Sequence, residues 1–320
     1  MPIPQAVRDR RALLSATARA TKAALPGILR QLPLVQADQS EKHDLDGVPA
    51  LNAADCPGFR LASDADADAD AGLCGTRIRV VNEDTLGAAI AMSKSLTEPG
   101  VEAVNRNQRV AVLNLASDKN PGGGWLSGAS AQEEALCYRS SLALSLHRSY
   151  YPWSPCTAIY TRDVVIMRSS MATGHLLLVP QTPVAQLPLV SAISVAAIRR
   201  PALKTAVDAT SEPSARDGQA IFKHPADRQL TKTKMRLALR IAAREKHELL
   251  VLGALGCGAF RNPPSEIAHC WSEVLGEPEF RGGWWREIWF AVLDTKNEGN
   301  FGVFSRILDG KEFGKDGHDV

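Results

Sequence analysis

RVAVLNLASDKNPGGGWLSGASAQEEALCYRSSLALSL, residues 109–146, places a short apolar run, a glycine cluster and a pair of acids in that order. Val110 to Leu115 reads as a buried strand, because the run is brief and bounded by turn formers. Asn120-Pro121 then leads into Gly122, Gly123 and Gly124. Three consecutive glycines favour neither helix nor strand, so they mark a loop whose backbone approaches something closely. Seven residues later, Gln132, Glu133 and Glu134 open an apolar-periodic stretch that reads as a helix, broken only at Tyr150-Tyr151-Pro152-Trp153. A strand, a glycine loop and a helix with two carboxylates at its start outline a reaction site.

Two readings compete for this outline. In the plainer one the glycines make a tight turn, and the acids occupy the first helical turn because the macrodipole favours negative charge there. In the other, backbone amides freed by the glycines hold a sugar or pyrophosphate, while a carboxylate supplies the proton that glycosidic chemistry needs. The combination favours the second.

The spacing GGG, seven residues, QEE resembles the signature of the poly(ADP-ribose) glycohydrolases, which are built on a macrodomain. NLASDKNPGGG before it and QEEALCYRSSL after it resemble the microbial-type branch. The resemblance implies hydrolysis of ribose–ribose O-glycosidic bonds from the free end of poly(ADP-ribose), releasing ADP-ribose. Glu134 is then the acid/base, with a raised pKa beside a second acid, and Glu133 bonds ribose hydroxyls. Asn120, Gly122, Gly123, Gly124 and Gln132 line the substrate site. No cofactor and no metal are implied, and the substrate is poly(ADP-ribose) or ADP-ribosylated protein. Two alternatives stand beside this: a hydrolase of mono-ADP-ribosyl adducts or O-acyl-ADP-ribose, and a macrodomain that binds ADP-ribose without turnover.

Further along, Ala158–Arg168 and Leu187–Ile198 read as strands, with Arg199 and Arg200 on the loop beyond the second. Residues 204–228 form an excursion, and a helix follows from Gln229 to Lys246. Glu248–Leu255 is a buried strand feeding Gly256-Cys257-Gly258-Ala259-Phe260-Arg261-Asn262-Pro263-Pro264, after which Ser265–Leu275 is helical. Small residues ahead of a helix start suit an anion, because the amides face outward and the dipole adds positive potential. GCGAFRNPP resembles the family's pyrophosphate loop, which implies binding by Gly256, Cys257, Gly258 and Ala259 and a ribose packed on Phe260. Trp284, Trp285 and Trp289 read as packing around a last strand, Ile288–Leu293, and Phe301–Leu308 as a closing helix.

Towards the start, residues 5–31 are rich in Ala and Arg and read as a helix with Leu13, Ala16, Ala20, Ala23 and Ala24 on one face, ended by Pro26-Gly27. The same composition touches on a mitochondrial transit peptide. Residues 36–75 are polar, and the Asp-Ala repeat at 63–72 reads as a solvated loop. Thr76–Asn82 is a strand and Leu86–Leu96 a helix. Of the acids between them, the resemblance gives Glu83 the adenine amino group, with Asp84 as the neighbouring candidate; capping the helix is the plain alternative.

With 320 residues, 45% hydrophobic and 22% charged, the chain can bury a large core. No linker splits it, so we expect an α/β fold, a macrodomain-like three-layer α/β/α sandwich with a central mixed sheet and an N-terminal helical extension. Residues 1–75 would pack on a catalytic domain at 76–308, with a flexible tail at 309–320. The net charge of +2 gives no reason to expect duplex nucleic acid or a membrane surface as partner. Six scattered cysteines without ligand spacing argue against a disulfide framework or a zinc site. The expectation is a monomer in a reducing compartment, cytoplasmic or nuclear, with mitochondrial targeting open.

Overall fold

The computed structural model describes residues 4–61, 74–95, 109–206 and 219–314. The acidic repeat at 63–72 and the chain after 314 lie outside them. In chain order the elements are α1 (Gln5–Leu29), β1 (Glu41–Asp44), β2 (Gly75–Val81), α2 (Thr85–Ser95), β3 (Ala111–Leu115), α3 (Gln132–Arg139), β4 (Thr157–Val165), β5 (Leu189–Val195), β6 (Leu203–Thr205), β7 (Ala220–Phe222), α4 (Pro225–Arg244), β8 (Leu249–Gly253), α5 (Pro264–Leu275), β9 (Glu287–Ala291), α6 (Asn300–Leu308) and β10 (Glu312–Gly314). This is the expected α/β class, with mixed strand pairing and a leading helix. No helix among the described residues is long and apolar enough to cross a membrane. The chain divides into two compact units, Met1–Asp44 with Asp84–Ala196 and Leu45–Glu83 with Ala197–Val320.

In the first unit the strand order is β1-β4-β5-β3, antiparallel except for the parallel pair β5–β3. β3 and β5 are buried almost throughout, which is why they read as continuous apolar runs. α3 stops at Arg139, well short of the expected helix. Ser140 is extended, and the Ser141 amide donates to the Val165 carbonyl at 3.0 Å while its hydroxyl accepts from the Val165 amide at 2.9 Å. The serines trade helix for strand contacts.

α1 departs from the expectation in two ways. Its buried stripe is Leu14, Ala18, Thr21, Leu25 and Ile28, not the face containing Leu13, which is 68% exposed. Alanine-rich sequence gives little contrast between faces, and Thr21 is drawn inward because its hydroxyl donates to the Tyr138 carbonyl at 2.8 Å. Pro26 also fails to end the helix. Leu25 and Ile28 pack with Val165, Met167 and Leu187, and that contact carries the helix through the proline to Leu29.

In the second unit β8, β9 and β2 run parallel and β10 pairs antiparallel with β2. β10 falls in the stretch expected to be a flexible tail, so the chain is ordered as far as Gly314. β6 and β7 pair within the expected excursion. Trp271 meets Phe290 edge-on and Phe290 meets Phe304 at a tilt in the core, and Trp284, Trp285 and Trp289 are all buried. On α4, Arg228, Lys232, Arg236 and Arg240 recur every four residues and meet Glu266, Glu273, Glu277 and Glu279. This row pins α5 and the chain after it against α4.

Candidate active site

β3 brings Asn114 into the interior, fully buried in an otherwise apolar run. A buried amide must find partners. Its nitrogen donates to Ser194 Oγ at 3.0 Å, across the β3–β5 register, and to Glu133 Oε1 at 3.4 Å. Gln132 ties the start of α3 to the same strand. Its oxygen accepts from the Leu115 amide at 2.8 Å, and its nitrogen donates to the Leu113 carbonyl at 2.7 Å and to Thr85 Oγ1 at 3.0 Å. The side chain expected on substrate is therefore spent inside the protein, where it fixes the helix that carries the glutamates.

Gly122 and Gly123 are left-handed, at φ 67° and 56°. A side chain at 123 would collide with Glu134 Oε1 and come within 3.1 Å of Glu133 Oε2, so glycine lets the backbone close over both carboxyls. The Gly122 amide donates to Glu133, the Gly123 amide to the Asn120 carbonyl at 3.0 Å, and the Gly124 amide to Glu134 Oε1 at 2.8 Å. The amides expected to face a sugar or pyrophosphate are thus donated internally, two of them to the glutamates. Glu133 Oε2 also accepts from the Ser117 amide at 2.8 Å, and Glu134 Oε2 from the Ala131 amide at 3.0 Å, as a glutamate in the first helical turn does.

Both acids are buried, Glu133 to 3% exposure and Glu134 to 7%. Burial pushes the Glu133 carboxyl up to about 8, helped by the charge of Glu134 and opposed by the donors at Ser117, Asn114 and Gly122. The carboxyl that burial raises is Glu133, to which the sequence reading assigned only ribose hydroxyls. Desolvation decides, and the sequence alone does not say which of two adjacent glutamates is deeper. Tyr151 belongs to this neighbourhood as well. Its hydroxyl is buried without a partner among the described residues and is pushed above the ordinary phenol range by burial and then by Glu133. Its ring lies 5.3 Å from that of Trp153, whose Nε1 donates to the Ser117 carbonyl at 3.0 Å. Sequence reasoning saw only an aromatic turn here and passed over Asn114, although a polar residue inside VLNL was the available signal.

Other expected residues fall outside this cluster. Asp84 accepts from the Gly87 amide at 2.8 Å, capping α2, and pairs with the buried Arg139. Capping therefore accounts for Asp84, while Glu83 is exposed. Asn120 is exposed too, and its side-chain oxygen accepts from Arg148 at 3.4 Å.

In the second unit, Gly256 stands at φ 77°, where a side chain would collide with Asn262 and Ala197. Asn262 is buried and clamps the loop, donating to the Ile198 carbonyl at 2.7 Å and to Gly256 at 3.2 Å. The Asn262 amide donates to Gly256 and the Arg261 amide to Gly258, both at 3.0 Å. Among the described residues the amides of Gly258, Ala259 and Phe260 donate to no protein acceptor, and Gly258 and Ala259 are exposed. Phe260 is half-buried and its carbonyl accepts from the Arg200 amide at 2.7 Å. This loop presents donors outward. Among the described residues no three His, Cys, Asp or Glu side chains come together to hold a metal.

The family model described as microbial-type PARG, catalytic domain, matches residues 41–169, a span that includes the first glycine loop and both glutamates. No curated protein matches the chain. Among solved structures, a poly(ADP-ribose) glycohydrolase (PARG) from Thermomonospora curvata is 25% identical, with 93% of this chain and 98% of that one covered and a TM-score of 0.62. A PARG from Deinococcus radiodurans, in complex with ADP-ribose, is 31% identical over 73% of this chain and 84% of its own, with a TM-score of 0.55.

Proposed function

The chain belongs to the microbial-type poly(ADP-ribose) glycohydrolases, and on that premise we propose that it hydrolyses the ribose–ribose bonds of poly(ADP-ribose), mainly from the free end, releasing ADP-ribose. The observation that carries this reading is the pair of buried glutamates over Gly123. Cleaving a glycosidic bond requires a proton on the departing oxygen and a carboxylate to activate water as an oxocarbenium-like centre develops. Two adjacent buried carboxyls cannot both ionise cheaply, so with Glu133 raised to about 8 the pair carries one proton near neutrality. We assign its delivery to Glu134. Glu134 protonates the leaving ribose oxygen, and as the resulting carboxylate it takes a proton from the attacking water. Glu133 bonds the neighbouring ribose hydroxyls.

The loop at 256–260 is assigned the diphosphate through its outward amides, with Phe260 against a ribose, and Glu83 is assigned the adenine amino group. The protein acts as a monomer with neither metal nor cofactor in this account. The test is incubation with automodified polymer and separation of products by chain length. Rapid shortening to ADP-ribose is expected, with the last protein-linked unit retained. Release of mono-ADP-ribosyl adducts as fast as shortening would make it an adduct hydrolase, and binding without shortening would make it a reader.

A further inference from the structure

α1 carries an arginine-rich pattern that the reaction chemistry leaves unused. Arg8, Arg11, Ser15, Arg19 and Lys22 recur at spacings of three and four residues, so at 3.6 residues per turn they fall on one stripe, which Arg30 extends. It is not the buried stripe. All five cations are exposed, and Asp9, the acid within the helix, lies off their line. Arg8 donates to Gln5 at 2.6 Å and Arg19 to Ser15 Oγ at 3.1 Å; no carboxylate among the described residues pairs with any of the five. A surface built for solubility mixes both signs. This one does not.

The stripe adjoins the glutamate loop within the same unit. Ser15, in its middle, donates to the Leu126 carbonyl at 2.8 Å. Gly128 sits so close to α1 that a side chain there would collide with the Arg11 backbone. Leu126 and Gly128 lie two and four residues after Gly124, whose amide holds Glu134. From Arg8 to Arg30, the residue just past the helix end, the stripe extends about 33 Å.

We propose that this stripe is a docking rail for the poly(ADP-ribose) chain itself, holding units beyond the one being cut. The inference rests on the glycohydrolase reading for its choice of polyanion. Each ADP-ribose unit brings a diphosphate with two negative charges, and arginine forks pair well with phosphate oxygens. A net charge of +2 hides the rail, because the five cations are balanced elsewhere in the chain.

The experiment measures binding of long polymer in the full chain carrying Glu134→Gln, which suppresses cleavage, across a series of salt concentrations. Arg8→Gln, Arg11→Gln, Arg19→Gln, Lys22→Gln and Arg30→Gln are then added together. Affinity for long polymer should fall at least ~10-fold at low salt, and the slope of log affinity against log salt should flatten by about 0.7 per lost cation, or about 3.5 in all. Affinity for monomeric ADP-ribose should not change. A parallel set that keeps the charge, with lysine for each arginine and arginine for Lys22, should restore most of the polymer affinity. The proposal is overturned if polymer affinity and salt slope survive the glutamine set, or if monomer affinity falls in step. Displacement of polymer by duplex DNA of equal charge as effectively as by polymer would overturn it too. Should the wild-type chain fail to cleave polymer while binding still depends on the stripe, the hydrolase reading fails and the rail stands.

Discussion

The loops at 122–124 and 256–260 both follow a buried strand and precede a helix, yet their amides serve opposite ends. In the first, the amides of Gly122 and Gly124 turn inward onto Glu133 and Glu134. In the second, the amides of Gly258, Ala259 and Phe260 find no acceptor among the described residues. The third residue of each helix differs in the same sense. Glu134 on α3 folds back onto the loop and the helix start. Glu266, in the same place on α5, is drawn away to Arg228 of α4. Glycine makes a loop able to approach an oxygen; a neighbouring acid decides whether that oxygen belongs to the protein or is left for a ligand to supply.

Substituting the glycines breaks the contrast most sharply. Gly123→Ala forces a left-handed alanine against Glu134, so turnover should fall by about 10²-fold, the scale of a misplaced catalytic group, with roughly 1–3 kcal/mol of stability lost. Gly258 has open space around it and no positive φ, so Gly258→Ala should leave stability within about 0.5 kcal/mol. Thermal melts and polymer assays on both variants decide the matter. Equal damage from the two would erase the difference between the loops.

The acids of the first loop also predict a pH signature. The folded Glu133 carboxyl titrates near 8 against an unfolded value near 4.5, so between those limits the folded state binds the extra proton. Wild-type stability therefore falls as pH rises through that window. Glu133→Gln removes the cost, and its advantage over wild type should grow to a few kcal/mol by about pH 9 and vanish near pH 4.5. Melting curves that keep a constant offset across this range would show that Glu133 is not the raised carboxyl.

For the second loop the clamp is the weak point. Asn262→Ala strips the Ile198 and Gly256 carbonyls of a donor and should cost about 1–3 kcal/mol. ADP-ribose affinity should weaken with it, because the outward amides lose their fixed arrangement. Calorimetry showing unchanged affinity in a destabilised variant would remove the anion role from this loop.

How much of this was legible depended on contrast. β3 and β8 stand out as apolar runs beside glycines, and both loops were placed from them. β1, reading EKHD, has no apolar residue to betray it, and β10 is three residues long; each is a strand only because its neighbour offers a ladder. The buried face of α1 is not legible in the sequence because alanine marks either side of a helix equally well. Within the site, Glu133 and Glu134 were visible as a pair, but their different hydrogen-bond partners were not: Asn114 and the Ser117 amide reach Glu133, while the Gly124 and Ala131 amides reach Glu134.

The most direct test of the central claim is to separate rate from binding at Glu134. Glu134→Gln keeps the shape and can still accept from the Gly124 amide, but it cannot deliver a proton. Polymer shortening measured by product length should fall by at least ~10²-fold, the scale of general acid catalysis. ADP-ribose affinity, measured by calorimetry on the same protein, should stay within about threefold, a change of roughly 0.7 kcal/mol. Near-normal shortening by this variant would contradict the account, since it would mean that the acid held in the first loop is not the one that cuts the chain.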